Sequence, residues 1–314
     1  FGGGPAAELL AEFTAAKLLR RRKTGWFFTG RDRPELTLRG SGGTPIDVID
    51  SGSGELLGNV DSGSAHVLVH PGAVYLHQGS SYLVRQLDEA DAAAFVTPTR
   101  PRWTTHPRDT TDLRVRSVRR YVDAGPIGLF FGDVEVTNQV VGYQRRRLPG
   151  GEFMDEVPLD LPPRTLRTVA MWWTISTGTL EEAGITRPRI PGSLHAAEHA
   201  AIGLLPLVAT CDRWDIGGLS TAAHPDTDAP TVFVYDGHPG GAGFAERGFT
   251  AWRDWLGATK AAIVACGCES GCPSCLQSPK CGNGNDPLDK AGAVAVLNLV
   301  LNTKPAPVIE TATR

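Results

Sequence analysis

The spacing of apolar residues changes twice along the chain. Residues 6–23 repeat Leu and Ala at helical intervals and end in the basic cluster Arg20-Arg21-Arg22-Lys23. Apolar positions three to four apart predict an amphipathic helix there. Gly25-Trp26-Phe27-Phe28-Thr29-Gly30 and Glu35-Leu36-Thr37-Leu38-Arg39-Gly40 then read as two short strands around a polar turn. Helix, basic turn and hairpin are together consistent with the end of a winged-helix module. Taken alone, the basic cluster is also what a solvated helix terminus carries.

From about Pro45 to Val96 the period shortens to two. Ile46–Ile49, Leu56–Val60, Ala73–His77 and Ser81–Val84 alternate apolar and polar residues between Gly- and Ser-rich breaks, and Gln78-Gly79-Ser80 is a hairpin turn signal. Strands this short and closely spaced predict a small barrel or curled sheet. Residues 97–110, rich in Pro, Thr and Arg, read as a surface linker. The β pattern resumes over Leu113–Tyr121, Ile127–Gln144 and Arg164–Ile175. The first of these alternates apolar residues with arginine, which puts one cationic face on the strand.

After about residue 190 the helical period returns. Ser193–Ala209 predicts a helix with Ser193 as N-cap, Gly243–Val264 an amphipathic helix carrying Trp252 and Trp255, and Asp286–Leu301 a last helix. Gly218–Thr221 and Thr231–Tyr235 are buried-strand candidates, and the Thr/Pro/Ala tail after Asn302 is expected to be loose. The fold class is therefore α+β, with an antiparallel, β-rich N-terminal half followed by a helical C-terminal half.

Composition adds three constraints. At 314 residues the chain can bury one large core or two modest ones. The net charge of −3 gives no global argument for nucleic acid or membrane. Locally the balance differs: Arg100–Arg147 holds ten Arg against five Asp plus Glu. No apolar run approaches the roughly 20 residues of a membrane-spanning helix, so no membrane partner is expected. The start Phe1-Gly-Gly-Gly-Pro5 reads as an internal boundary, so the chain is expected to be part of a longer protein.

The densest chemistry is the run Cys266-Gly-Cys268-Glu-Ser-Gly-Cys272-Pro-Ser-Cys275-Leu-Gln-Ser-Pro-Lys-Cys281, five of the chain's six cysteines in sixteen residues. Thiolates spaced C-x-C and C-x-x-C between Gly and Pro turns can converge on one point, as a tetrahedral Zn(II) with bonds of about 2.3 Å requires. Disulfides are the competing reading; they fit poorly because cysteines in C-x-C bridge badly and nothing marks an oxidising compartment. Cys266, Cys268, Cys272 and Cys275, the nearest four, are the expected ligands of one structural zinc per chain, with Cys281 a fifth thiol that could displace one. Four thiolates leave no open coordination position, so the ion should staple structure rather than activate water. Cys211 is isolated and reads as a small buried apolar residue.

His195-Ala-Ala-Glu198-His199 places two histidines and a carboxylate on one helix and matches an inverted zincin signature. The alternative function is thus a zinc hydrolase using His195, Glu198 and His199; the plainer reading is a polar helix face bonded to a neighbouring loop. Gly217-Gly218-Leu-Ser-Thr and Gly237-His238-Pro239-Gly240-Gly241-Ala-Gly243 are glycine-rich segments that could offer backbone N–H groups to phosphate. Neither contains a P-loop, and no ATPase motif occurs in the chain. Aromatics lie beside basic residues at Trp26–Phe28, Trp103 and Tyr121, the composition of a groove that stacks single-stranded bases.

The order of Pro71-Gly-Ala-Val-Tyr-Leu-His-Gln-Gly79, the His195–Ala200 segment, Gly217–Thr221, Tyr235–Gly241 and the Cys266–Cys281 run resembles the C-terminal region of MrfA-type superfamily 2 DNA-repair helicases, a group similar to mycobacterial SftH and RecQ4-like helicases. The resemblance runs from about residue 20 to about residue 300. It implies the tail of a winged helix (1–40), a small β subdomain (41–100) and an MrfA-type zinc-binding domain (101–314). It further implies RecA-like motor domains of the same parent chain, located N-terminal to this region, and an ATP-dependent 3′–5′ DNA repair helicase acting on single-stranded DNA. Localisation is then cytoplasmic, bacterial and nucleoid-associated. The family's zinc ligands fall on Cys266, Cys268, Cys272 and Cys275. From charge and spacing, Arg114, Arg116, Arg119 and Arg120 are the expected DNA-backbone contacts, with Trp103 and Tyr121 as stacking groups. A purely structural or protein-docking module is the remaining alternative.

Overall fold

In a computed structural model, residues 5–29, 43–123, 125–304 and 307–311 are described. The chain divides into two compact units, residues 1–38 and 39–314. In the first, helix α1 (Pro5–Ala15) precedes an antiparallel hairpin of β1 (Leu19–Arg22) and β2 (Gly25–Phe28). The basic cluster is therefore a strand rather than a helix end. The Arg21 guanidinium lies 5.2 Å from the Trp26 ring and that of Arg22 5.7 Å from Phe27. The strand expected over Glu35–Gly40 falls outside the described residues.

The second unit begins with a five-stranded sheet of β3 (Ile46–Asp50), β4 (Leu56–Val60), β5 (Val74–His77), β6 (Ser80–Asp88) and β7 (Ala93–Thr99), with a short α2 (Ala65–Leu68) between β4 and β5. Its order is β4-β3-β7-β6-β5, antiparallel except where β3 runs parallel to β7. The alternation is real: Ile46, Val48, Val60, Val84, Ala94 and Val96 point into one core with Ala65 and Val69.

The expected linker over residues 97–110 is largely strand. β8 (Trp103–Asp123) and β9 (Ile127–Arg147) are 21 residues each and pair antiparallel along almost their full length. Proline and arginine are tolerated because much of β8 in this stretch is half exposed. Along the edge of β9 opposite β8, β11 (Arg164–Ile175) pairs with its first half and β10 (Phe153–Pro158) with its last residues. After α3 (Thr177–Glu182) and α4 (Ile190–Leu204) the chain adds β12 (Ile216–His224) and β13 (Ala229–Asp236). The resulting order is β12-β13-β11-β9-β8-β14, where β14 (Ile309–Glu310) pairs with Tyr121 and Arg120. The C-terminal tail is thus anchored by two strand residues that are too few to show a period.

This sheet curls until its ends meet. His224 Nε2 donates to the Leu113 carbonyl at 3.0 Å and the Val115 N–H donates to Asp226 Oδ2 at 2.8 Å, so the β12–β13 turn closes on the middle of β8. Leu113, Val134, Val136, Ala170, Trp172 and Phe233 fill the interior. The opposite face, with Leu129, Phe131, Met171, Trp173, Val232 and Val234, is covered by α4, α5 (Phe244–Thr250), α6 (Trp252–Ala265) and α7 (Lys290–Leu301). Trp255 is fully buried there, edge-on to Trp173, and its indole N–H donates to the Ala201 carbonyl. Burying side chains of this size stabilises by about 2–3 kcal/mol each.

Several helix boundaries differ from the pattern: α4 ends at Leu204 rather than Ala209, and α7 starts at Lys290 rather than Asp286. Ser193 is inside α4, where its hydroxyl donates to Arg189 O, because the helix starts three residues earlier at Ile190, with Pro191 in its first turn. The Gly243–Val264 segment breaks at Ala251 into α5 and α6. No helix among the described residues is long and apolar enough to cross a membrane.

Candidate metal centre and basic strand

The cysteine run connects α6 to α7. Cys266 ends α6 in an extended conformation, while Asp289 caps α7 through its bond from Gly292 N–H. Between them Gly271, at φ +112, makes the turn that brings Cys272 and Cys275 back over Cys266 and Cys268. A Cβ at Gly271 would also press on Leu276 at 2.8 Å.

The Sγ–Sγ separations are 3.6 Å for Cys266–Cys268 and Cys266–Cys272, 3.5 Å for Cys268–Cys275 and 3.8 Å for Cys272–Cys275. A regular tetrahedron with bonds of about 2.3 Å has edges of about 3.8 Å, so these four atoms already form the shell a zinc ion needs. The distances are far beyond the roughly 2.05 Å of a disulfide, and all six cysteines are free.

The surroundings suit thiolates. The Cys272 N–H donates to Cys275 Sγ, and Lys290 Nζ reaches Cys268 Sγ at 3.5 Å while donating to the Cys266 and Cys268 carbonyls. Four thiolates around Zn(II) carry a net charge of about −2, which this ammonium partly offsets. Burial works against ionisation of Cys268, but bonds from Cys275 and Cys266 outweigh it and bring its thiol down. Cys275 and Leu276 belong to the helix-side core, so the cluster is fastened to the main body of the unit. Cys211, packed against the same core, has its thiol pushed up to about 11 by burial.

The His195–His199 segment lies in α4, facing the loop that follows Cys275. His195 Nδ1 bonds to Pro287 O at 2.9 Å and His199 Nδ1 to Leu276 O at 3.0 Å. Glu198 takes another direction: it is buried and bonded to Ser220 of β12. Gly218 leaves it the room, since a Cβ there would overlap Glu198 Oε1. Desolvation raises its carboxyl to about 7. A zinc hydrolase needs that carboxylate beside the metal as general base, and this geometry withholds it.

Neither glycine-rich segment is an anion site. Gly217–Thr221 is strand β12 itself. In the Gly237–Gly243 loop, Asp236 occupies the cradle: its carboxylate accepts from the N–H groups of Ala242, Gly243, Phe244 and Ala245 at 2.6, 2.8, 3.2 and 2.7 Å.

On β8 two bulges, at Val115/Ser117 and Val118/Arg120, break the strict alternation that the sequence suggests. Each arginine finds an acidic partner. Arg114 meets Asp112 and Asp226, Arg116 meets Glu135, Arg119 meets Asp133, and Arg120 meets Glu246. Arg114, Arg116 and Arg119 keep about half their side chains in solvent. Arg120 is more enclosed, with its guanidinium 4.8 Å from the Phe131 ring and 5.2 Å from Phe249. Tyr121 stacks on Phe130, which stacks on Trp172 in the interior. Trp103 lies under Arg145 at 5.6 Å. The acidic partners come from β9, the β12–β13 turn and α5, so only Asp112 is visible beside its arginine in sequence.

A basic cavity of about 360 Å³ escaped the sequence reading. His106, Arg108, Gln144 and Arg146 on β8 and β9 line one side, and Cys281 and Asn285 the other. The residues come from segments more than 130 positions apart, beyond the reach of any local motif.

These features define a β-rich region whose four clustered cysteines are placed to hold one metal ion. Residues 197–276 match the MrfA zinc-binding domain. The ATP-dependent helicase YprA of Bacillus subtilis is 27% identical over 281 residues, covering 88% of this chain and 37% of YprA. An uncharacterised protein of Methanocaldococcus jannaschii, MJ1572.1, is 35% identical over 112 residues, 35% of this chain and the whole of that protein. Among solved structures, DUF1998 helicase MrfA bound to DNA superposes with a TM-score of 0.58 at 25% identity, covering 94% of this chain and 39% of MrfA. The chain belongs to the MrfA zinc-binding family and carries a domain whose four clustered cysteines are placed for one zinc ion. It spans little more than a third of YprA and of the MrfA structure.

Proposed function

We propose that this chain is the C-terminal accessory region of a bacterial ATP-dependent 3′–5′ DNA repair helicase, and that it engages single-stranded DNA beside motor domains N-terminal to it. The observation that supports this most is the match of 94% of the chain to MrfA, a helicase whose structure is described as bound to DNA. Residues 1–40 are read as the wing tail, 41–100 as a β subdomain and 101–314 as the zinc-binding domain, with Cys266, Cys268, Cys272 and Cys275 as ligands. The parent enzyme would act in the cytoplasm, at the nucleoid.

Arg114, Arg116 and Arg119 are the leading candidates for phosphate contact, with Arg120, Trp103 and Tyr121 as supporting positions that are more firmly packed. Their ion pairs do not preclude this role. A surface pair is worth only about 0–1 kcal/mol, so a phosphate can replace a carboxylate at little cost. The test is the salt dependence of single-stranded DNA affinity. Replacing Arg116 and Arg119 by Ala should reduce the slope of log K against log salt by about 1.4, roughly 0.7 per lost contact. An unchanged slope removes this strand from the interface, and equal affinity for duplex DNA removes the single-strand preference.

A further inference from the structure

The geometry points to a second metal site, separate from the four cysteines, in which His195, His199 and Cys281 bind one Zn(II) ion. Their ligand atoms lie within 4.8 Å of one another. His195 and His199 are one helical turn apart on α4, with ring centroids 4.2 Å apart, and Cys281 comes from the loop packed against that face. Cys281 Sγ is 3.4 Å from His195 Nε2 and also bonds to the His199 ring.

The surrounding hydrogen bonds fix what these atoms can do. Both Nδ1 atoms face backbone carbonyls, Pro287 O and Leu276 O, which only accept. Each Nδ1 must therefore carry the hydrogen, and in the neutral rings both Nε2 atoms present lone pairs toward the sulfur. A backbone carbonyl behind a histidine is the usual arrangement that orients a metal-bound imidazole. Cys281 Sγ also accepts the Asn285 N–H at 3.2 Å, a bond of the kind that Cys275 Sγ accepts from Cys272 N–H in the first cluster. One thiol hydrogen can serve only one of the two nitrogens, whereas a cation satisfies all three lone pairs together.

Two imidazoles and one thiolate form a borderline-soft set suited to Zn(II). The fourth position is left to water, which the cavity bordering Cys281 can supply. Glu198 turns away toward Ser220, so no general base stands beside the ion. Its role is to tie the 276–287 loop to α4, as the first ion ties the 266–275 turn to α6 and α7. The two sites are independent, because Cys281 is absent from the first cluster and none of its four cysteines enters the second.

The experiment uses the purified 314-residue chain, equilibrated with excess Zn(II) and then desalted. Elemental analysis should give two zinc ions per chain, and zinc-edge X-ray absorption should give an average of about 2.5 sulfurs per zinc, the mean of four and one. The double variant His195→Ala/Cys281→Ser, with wild-type circular dichroism, should retain one zinc with four sulfurs. One zinc per chain with four sulfurs in the unaltered protein overturns the proposal, and that measurement needs no variant to fold. Two ions retained by a folded double variant overturn it equally.

Discussion

The cysteine loop and the arginine strand both concentrate ligand atoms of one kind, yet the fold resolves them in opposite ways. Cys266, Cys268, Cys272 and Cys275 meet one another at 3.5–3.8 Å, and Lys290 offsets only part of the charge of four such thiolates, leaving the rest to an external cation. Arg114, Arg116, Arg119 and Arg120 each meet a carboxylate supplied by the chain itself. A dense local motif therefore reports a ligand reliably only when the fold has nothing of its own to offer it. The Gly237–Gly243 loop falls on the arginine side of this division, since Asp236 already holds its amides.

The largest expected effect breaks the cysteine side. Zinc binding by small cysteine sites is worth about 10–16 kcal/mol in isolated peptides, and part of that is folding free energy. Here the loop is also held by Cys275 and Leu276 in the core, so some order should survive loss of the ion. Cys272→Ser should lower stability by at least about 4 kcal/mol, or about 10 °C in Tm for a unit of this size. Calorimetry together with metal content checks it. A variant that keeps both its Tm and all its zinc would show that Cys266, Cys268 and Cys275 hold the first ion without Cys272.

Next comes the loop that satisfies itself. Asp236 is fully buried, and Asp236→Ala strands the four loop amides it accepts from, that of Ala245 in a buried bond and the other three part-buried. Leaving such donors unmatched should destabilise by about 3–5 kcal/mol. Inorganic phosphate should not restore the loss. Rescue by millimolar phosphate would mean that the loop is an anion site after all, and would move it to the cysteine side of the comparison.

Glu198→Gln separates burial from chemistry within the histidine helix. Burial raises the Glu198 carboxyl from 4.5 to about 7, so the folded state holds its proton where the unfolded chain has released it. A raised pKa stabilises the fold below 4.5, and this contribution is lost as pH rises through 7. The variant has no charge to suppress. Relative to the parent it should be unchanged near pH 4.5 and more stable by about 1–3 kcal/mol at pH 8. Denaturant unfolding at the two pH values measures the difference. A variant less stable at pH 8 would show that the charged carboxylate is held by a partner stronger than Ser220.

How much was legible in the sequence follows the same line. The α+β class, the first two strands of the small sheet, the zinc loop and the place of the final helix all depend on residues close together in the chain, where spacing states geometry directly. The extension of β8 through Pro107, the curling of the long sheet onto His224 and Asp226, and the anchoring of Ile309 beside Tyr121 depend on pairings across tens to hundreds of residues. The zincin-like spelling of His195–His199 was readable, but the turning of Glu198 toward β12 was not. That direction is set by the room left at Gly218, twenty residues away.

The smallest effect tests the arginine side itself. Arg116 and Arg119 keep 57% and 45% of their side chains exposed, with Glu135 and Asp133 as partners. Hydrogen bonds from Arg116 and Arg167 hold the Glu135 carboxyl below its ordinary range; for Asp133, burial opposes ionisation but bonds from Arg119 and Ser117 outweigh it. At this exposure solvent and salt screen most of the Coulomb energy. Arg116→Ala and Arg119→Ala should each change stability by less than about 1 kcal/mol, and half-molar salt should shrink the difference further. A loss several times larger, insensitive to salt, would mean that these arginines are committed to the fold and are not available to exchange a carboxylate for a phosphate. A small, salt-screened loss accompanied by a flatter salt slope for DNA binding would place the strand where a nucleic-acid ligand, rather than the chain, supplies the preferred anion.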